Sequence, residues 1–171
     1  PSCLQCPVGS VNTFGDVASE DDTTCKTWIE TNVIEGTESE HLNFGHSVDI
    51  SSDADWIVIG APGTSEGTAV VYDRVDDEEI RSILGQSNGD MFGSSVAISS
   101  DGSTVAVGAP YADGAMGDNQ GEIRMFSDTG EAVGPTIMGL EGENVMGSDI
   151  AISLDGNTVA TVSRWSSCNS K

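Results

Sequence analysis

The run Phe92-Gly93-Ser94-Ser95-Val96-Ala97-Ile98-Ser99-Ser100-Asp101-Gly102-Ser103-Thr104-Val105-Ala106-Val107-Gly108-Ala109-Pro110 occurs two more times in altered form. No other feature of the chain constrains its fold so tightly. Forty-eight residues earlier, Phe44-Gly45 leads without a gap to Gly60-Ala61-Pro62. Fifty-four residues later, Met146-Gly147 opens a third copy that keeps the first two thirds of the unit.

Each copy reads as a hairpin. Val96 and Ile98, then Val105 and Val107, alternate with small or polar residues, the period of two of a strand with distinct faces. Between them Ser100-Asp101-Gly102-Ser103 supplies the turn, because Gly takes positive φ without steric cost and Asp bonds its own backbone. Leu154-Asp155-Gly156-Asn157 keeps the glycine in the third copy. Ser52-Asp53-Ala54-Asp55 lacks it in the first and is expected to turn differently. Pro62 and Pro110 cannot donate to a ladder, so each ends its strand and sends the chain into a loop where specificity would lie. A third strand is expected at residues 68–72 and 122–126, each introduced by a glycine, and a fourth at 80–85, 135–139 and 28–34. A repeat of about 40–50 residues built from short strands is the signature of a propeller blade, and four strands make one blade.

The expected fold is therefore all-β: an incomplete β-propeller of about two and a half four-stranded blades with a short disulfide-stapled N-terminal segment. The expected domains are a partial cysteine-rich module over residues 1–28, propeller repeats over 29–165 (about 29–85, 86–139 and 140–165) and a tail over 166–171. Composition agrees, since 21 glycines with 37% hydrophobic residues suit a β-rich chain with many tight turns.

Charge narrows the partners. Six Lys and Arg against 28 Asp and Glu give a net charge of −22. Phosphate contacts are made mainly by basic side chains, so nucleic acid is excluded as a partner and an anionic membrane surface is disfavoured. No apolar run approaches the roughly 20 residues that cross a bilayer as a helix, so no membrane insertion of this segment is expected. The chain starts at Pro1 rather than at a methionine, which suggests a processed product or a piece of something longer.

Three of the four cysteines, Cys3, Cys6 and Cys25, fall in the first 28 residues, with Cys168 near the other end. The Cys3-x-x-Cys6 pair lacks the second close pair that a structural zinc site wants, and no βαβ pattern supports a redox role. A disulfide framework in an oxidising compartment is the preferred reading. Four cysteines allow three pairings. The pattern Cys-x-x-Cys-Pro-x-Gly-Ser followed by Cys25 resembles the small extracellular cysteine-rich repeats related to ephrin-receptor and TNF-receptor modules. The resemblance implies a module cut short at its start, with Cys3 paired to Cys168 or to a residue outside the chain, and the bridge favoured here is Cys6 to Cys25. Lys26-Thr27-Trp28 stands where a further cysteine usually follows.

Phe44-Gly45 with Gly60-Ala61-Pro62, and Phe92-Gly93 with Gly108-Ala109-Pro110, resemble FG-GAP repeats, the units of the seven-bladed propeller of integrin α-subunits and of many secreted or surface proteins. The resemblance covers about four fifths of the chain and implies an extracellular location or the lumen of a secretory compartment. It also implies a role in binding or cell adhesion. The third copy departs from it, with Met146-Gly147 for Phe-Gly and Val162-Ser163-Arg164 for Gly-Ala-Pro. Many members of the family carry a calcium loop rich in Asp in the hairpin. Calcium needs about six to eight oxygen ligands, and each turn here offers too few carboxylates, so no metal or other cofactor is assigned.

The insertion after the second Gly-Ala-Pro, residues 111–120, is the longest such loop. It supplies the candidate binding residues Tyr111, Asp113, Asp118 and Asn119. A flexible, solvated loop is expected there, although Asp113, Asp118 and Asn119 could collect a cation. Asp76-Asp77-Glu78-Glu79 reads as a polar turn between strands. Neither His41 nor His46 belongs to a triad motif, and no catalytic residue is assigned. Propellers close radially with about four to eight blades, so three imperfect repeats need missing blades or a partner to cover the open sides. The expected function is a non-catalytic interaction module, binding a protein or a glycan through its loops. The alternatives are a structural piece of a larger assembly and a non-catalytic part of a larger secreted enzyme.

Overall fold

The computed structural model describes residues 10–12, 25–27, 33–36, 43–63, 65–76, 78–140 and 145–163, the first two segments by their backbone alone. The chain forms two compact units, Pro1–Glu35 and Gly36–Lys171. In the first, β1 (Ser10–Asn12) and β2 (Cys25–Thr27) pair antiparallel with Asn12 opposite Cys25. Cys6, the other half of the expected bridge, lies outside the described residues, as do Cys3, Cys168, His41 and most of the strand expected at 28–34. Val33 and Ile34, the described end of that segment, are not in a strand.

The second unit is built of strands, with no helix among the described residues. Its first sheet runs in chain order through β3 (Ser47–Ile50), β4 (Trp56–Ala61), β5 (Thr68–Asp73) and β6 (Glu78–Leu84). The second sheet repeats the plan with β7 (Ser95–Ile98), β8 (Thr104–Ala109), β9 (Glu122–Ser127) and the two-residue β10 (Ile137–Met138). The third consists of β11 (Asp149–Ile152) and β12 (Val159–Val162). Within these sheets neighbouring strands all pair antiparallel, and the first hairpin has the same register in each: Ser47 opposite Gly60, Ser95 opposite Gly108, Asp149 opposite Val162. This is an incomplete β-propeller of two four-stranded blades and a half-blade. Pro62 and Pro110 stand directly after β4 and β8, as their missing N–H requires.

The hairpin turns are alike in all three copies. Ser51, Ser99 and Ser153 donate their hydroxyls to Asp53, Asp101 and Asp155, at 2.5, 2.8 and 2.6 Å. Each carboxylate also accepts the amide two residues on, and each serine oxygen accepts the amide five residues on, from Trp56, Thr104 and Thr158. The first turn was expected to differ for want of a glycine, and it does not. Ala54 takes φ of 62° and donates to Ser51 O, as Gly102 and Gly156 donate to Ser99 O and Ser153 O. The Ser-Asp clamp outweighs the strain of a left-handed alanine. Neighbouring turns are linked as well, Ser52 N to Ser100 O and Ser100 N to Leu154 O, both at 3.0 Å.

A second difference concerns the acidic run 76–79. Glu78 and Glu79 belong to β6, opposite Asp73 and Tyr72 across a register shift, so the strand begins earlier than expected. Their side chains are exposed on the outer strand of the blade, where a charge costs nothing in burial.

Blades stack face to face, so the middle blade is buried on both sides: all four residues of β7 and five of the six of β8 are buried. One core lies between the first two blades and includes Val58, Val71, Ile83, Phe92, Val107 and Phe126. The other lies between the second and third, around Ala106, Ile123, Met146 and Ile150. At each junction a glycine pairs in parallel with the residue that opens the next repeat, Gly67 with Phe92 and Gly121 with Met146.

Candidate functional site

The loop after β8 is fixed from within. Pro110 ends the strand, Ala112 N donates to Ala109 O at 3.2 Å, and Gly121 N returns to Ala112 O at 3.0 Å, closing the neck. Gln120, only 2% exposed, acts as the internal post. Its Oε1 accepts the Met116 amide at 3.0 Å and its Nε2 donates to Gly139 O at 2.7 Å. Gly114 and Gly117 exchange backbone bonds at 3.1 and 3.2 Å across the tip. The loop is largely solvent-exposed, as expected, and its backbone is bonded through the buried glutamine. Buried amide groups need partners, and here the backbone of Met116 in the loop and of Gly139 after β10 supplies them.

The structure brings some of the candidate residues together. Asp113 Oδ1 accepts the Asn119 amide at 2.9 Å, and Asn119 has φ of 52°. Tyr111 donates its amide to Asp90 O at 3.2 Å, which ties the loop to the connection between the blades, and its side chain is 44% exposed. Asp118 is exposed, and Met116 at the tip is 73% exposed. Among the described residues no three His, Cys, Asp or Glu side chains are grouped closely enough to hold a metal ion.

Beside this loop lie charged groups that the sequence reading passed over. Glu122, the first residue of β9, is only 7% exposed. Burial pushes its carboxyl up from the usual range, the Arg124 guanidinium pulls it back, and Asp90 adds to the rise. Asp90 is itself raised by burial and by Asp113. Arg124 lies over the rings of Phe92 and Phe126, 5.4 and 5.0 Å from their centroids, and its buried Nη1 makes no hydrogen bond. The two rings meet edge to face at 6.0 Å. The alternation Glu122, Arg124, Phe126 was the signal available, since residues two apart in a strand share a face.

The three inner strands β3, β7 and β11 line a second feature, an open groove of about 530 Å³ with His46, Asp49 and Asp149 among its walls. His46 is exposed at its edge, where the other copies have Ser94 and Ser148.

Residues 85–126 match the family model of the FG-GAP repeat, which covers the second copy of the unit. Among solved structures, hydrazine synthase of Kuenenia stuttgartiensis is similar over 76% of this chain, with a TM-score of 0.51 and 16% sequence identity. The chain spans about a third of that protein's length, 32%. A likeness at this identity concerns the fold alone. No curated protein matches the sequence. The chain thus carries an FG-GAP repeat within a β-propeller architecture, as its Phe-Gly and Gly-Ala-Pro pairs imply.

Proposed function

We propose that the chain is a non-catalytic interaction module that binds a protein or a glycan through the loops after its Gly-Ala-Pro positions, in an extracellular or lumenal compartment. The observation that carries this reading is the exposure of Tyr111 and Met116 on a loop whose backbone Gln120 holds from inside. A side chain presented on a fixed backbone loses less freedom on binding. Tyrosine offers an apolar face and a hydroxyl, suited to a sugar ring or a peptide surface.

The test is to screen the folded chain against a glycan array and an array of secreted proteins, in parallel with Tyr111→Ala and Met116→Ala. Binding that the variants weaken at least tenfold, with an unchanged circular dichroism spectrum, supports the reading. Binding that is indifferent to both variants, or no retained ligand on either array, sinks it.

A second reading, a structural piece of a larger assembly, is favoured by β12. Among the described residues no strand pairs with its outer edge, and a free strand edge invites another strand.

A further inference from the structure

The device that seats one blade on the next is the same at both junctions. Ser47 stands opposite Gly60, and Ser95 opposite Gly108. Each serine hydroxyl donates to the carbonyl of the glycine that opens the following repeat: Ser47 Oγ to Gly93 O at 2.9 Å, and Ser95 Oγ to Gly147 O at 2.7 Å. The same carbonyl occupies the space a side chain on the opposite residue would need. A Cβ on Gly60 would stand 2.0 Å from Gly93 O, and one on Gly108 would stand 2.2 Å from Gly147 O. Neither glycine has positive φ. Here glycine supplies room for a neighbouring backbone rather than a special conformation.

The third blade has lost both halves of this device. Its pair is Asp149 opposite Val162. The donor hydroxyl has become a carboxylate, which only accepts when ionised, and its Oδ1 already takes the Ile150 amide at 3.0 Å. The glycine has become a branched side chain, 54% exposed. Local bonding has changed with it. Gly93 N donates to Gly108 O, whereas Gly147 N donates to Thr161 Oγ1 at 3.2 Å.

We infer that the third blade is a built end of the blade stack, whose outer face cannot seat another blade of this kind, whether from following polypeptide or from a second copy of this protein. An incoming repeat would press its opening glycine carbonyl against the Val162 Cβ and present it to the Asp149 carboxylate, acceptor against acceptor. Any surface that packs on this face must therefore lack the inward-facing carbonyl of a Phe-Gly opening. The inference does not depend on what the loops bind.

Two experiments on the full chain test it, both read by amide hydrogen exchange. In the first, Ser95→Asp and Gly108→Val are combined, giving the second blade the pair found in the third. Exchange in β11 and β12 is expected to quicken roughly tenfold or more while β4 and β5 keep their protection. Unchanged protection of β11 and β12 would overturn the inference. In the second, which does not disturb an existing junction, a further copy of residues 140–163 is appended to the chain. Behind the native Asp149 and Val162 its amides are expected to exchange as free chain, and behind Asp149→Ser with Val162→Gly to gain protection. An appended copy protected behind the native pair would equally overturn it.

Discussion

Asp49 reaches across the boundary between the first two blades: its Oδ2 accepts the Ile98 amide at 2.9 Å while its Oδ1 accepts the Ile50 amide at 2.9 Å. The matching positions in the other copies are Ala97 and Ala151, which cannot make such a clasp. Ile98 is a buried residue and this bond is partly buried, so losing the carboxylate leaves its amide poorly satisfied.

Asp49→Ala is therefore expected to lower stability by about 1–3 kcal/mol, the cost of a buried donor left unsatisfied. Alanine already fits this position in two copies, so the loss reports the hydrogen bond rather than packing. Urea unfolding measures it, and exchange of the Ile98 amide locates it. A variant as stable as the parent would show that the clasp contributes nothing.

The turn carboxylates predict an acid limb. Hydrogen bonds from Ser103 and Ser99 hold Asp101 down from 3.8 to about 2, and those from Ser153 and Asn157 do the same for Asp155. Asp53 is lowered in the same way, first by Ser51. Because the folded values lie below the ordinary one, this stabilisation is complete above about pH 4 and is lost as pH falls towards 2. Asp101→Asn should flatten that limb in a plot of urea midpoint against pH. An unaltered slope would remove the serine hydroxyls as its cause.

Glu122 predicts the opposite sign. Burial raises its carboxyl above 4.5, so the folded state binds the proton more tightly and this group costs stability as pH rises through that region. Glu122→Gln should raise the melting temperature at pH 7 and leave it unchanged below about pH 4. A variant less stable at pH 7 would mean that attraction to Arg124 exceeds the cost of burial.

Phe92 is fully buried between the first two blades, under Arg124 and edge-on to Phe126. Phe92→Ala should cost about 3–5 kcal/mol in urea unfolding, as deletion of a buried phenyl ring does. Phe44, only half-buried at the corresponding position of the first blade, should tolerate the same change at a smaller cost.

The hairpins, the prolines that end β4 and β8 and the third strands were legible in the sequence because each follows from local chemistry repeated at one spacing. The first turn was misread because its glycine was weighed and its Ser51-Asp53 clamp was not, although the same pair stands at Ser99-Asp101 and Ser153-Asp155. Tyr111 and Asp113 could be picked out as loop residues. The burial of Gln120 could not, since a polar residue in a Gly- and Asp-rich loop carries no mark of what will pack over it, and Glu122 was marked only by sharing a strand face with Arg124 and Phe126. The meaning of Val162 was half visible as a break in Gly-Ala-Pro. Its consequence needed the carbonyl of Gly93 lying against Gly60.

Gln120 offers the sharpest check on the loop. Gln120→Met keeps the length of the side chain and much of its volume but removes both polar ends, leaving the Met116 amide and Gly139 O without the partners they have now. The Met116 amide should then exchange faster by roughly tenfold, while the Gly121 amide, held by Ala112 O, changes less. If the loop binds because it is rigid, the same variant should weaken any ligand that Tyr111→Ala weakens, although Gln120 itself is buried. Equal affinity with a loosened loop would separate the two ideas, leaving Tyr111 as a contact and removing rigidity from the explanation.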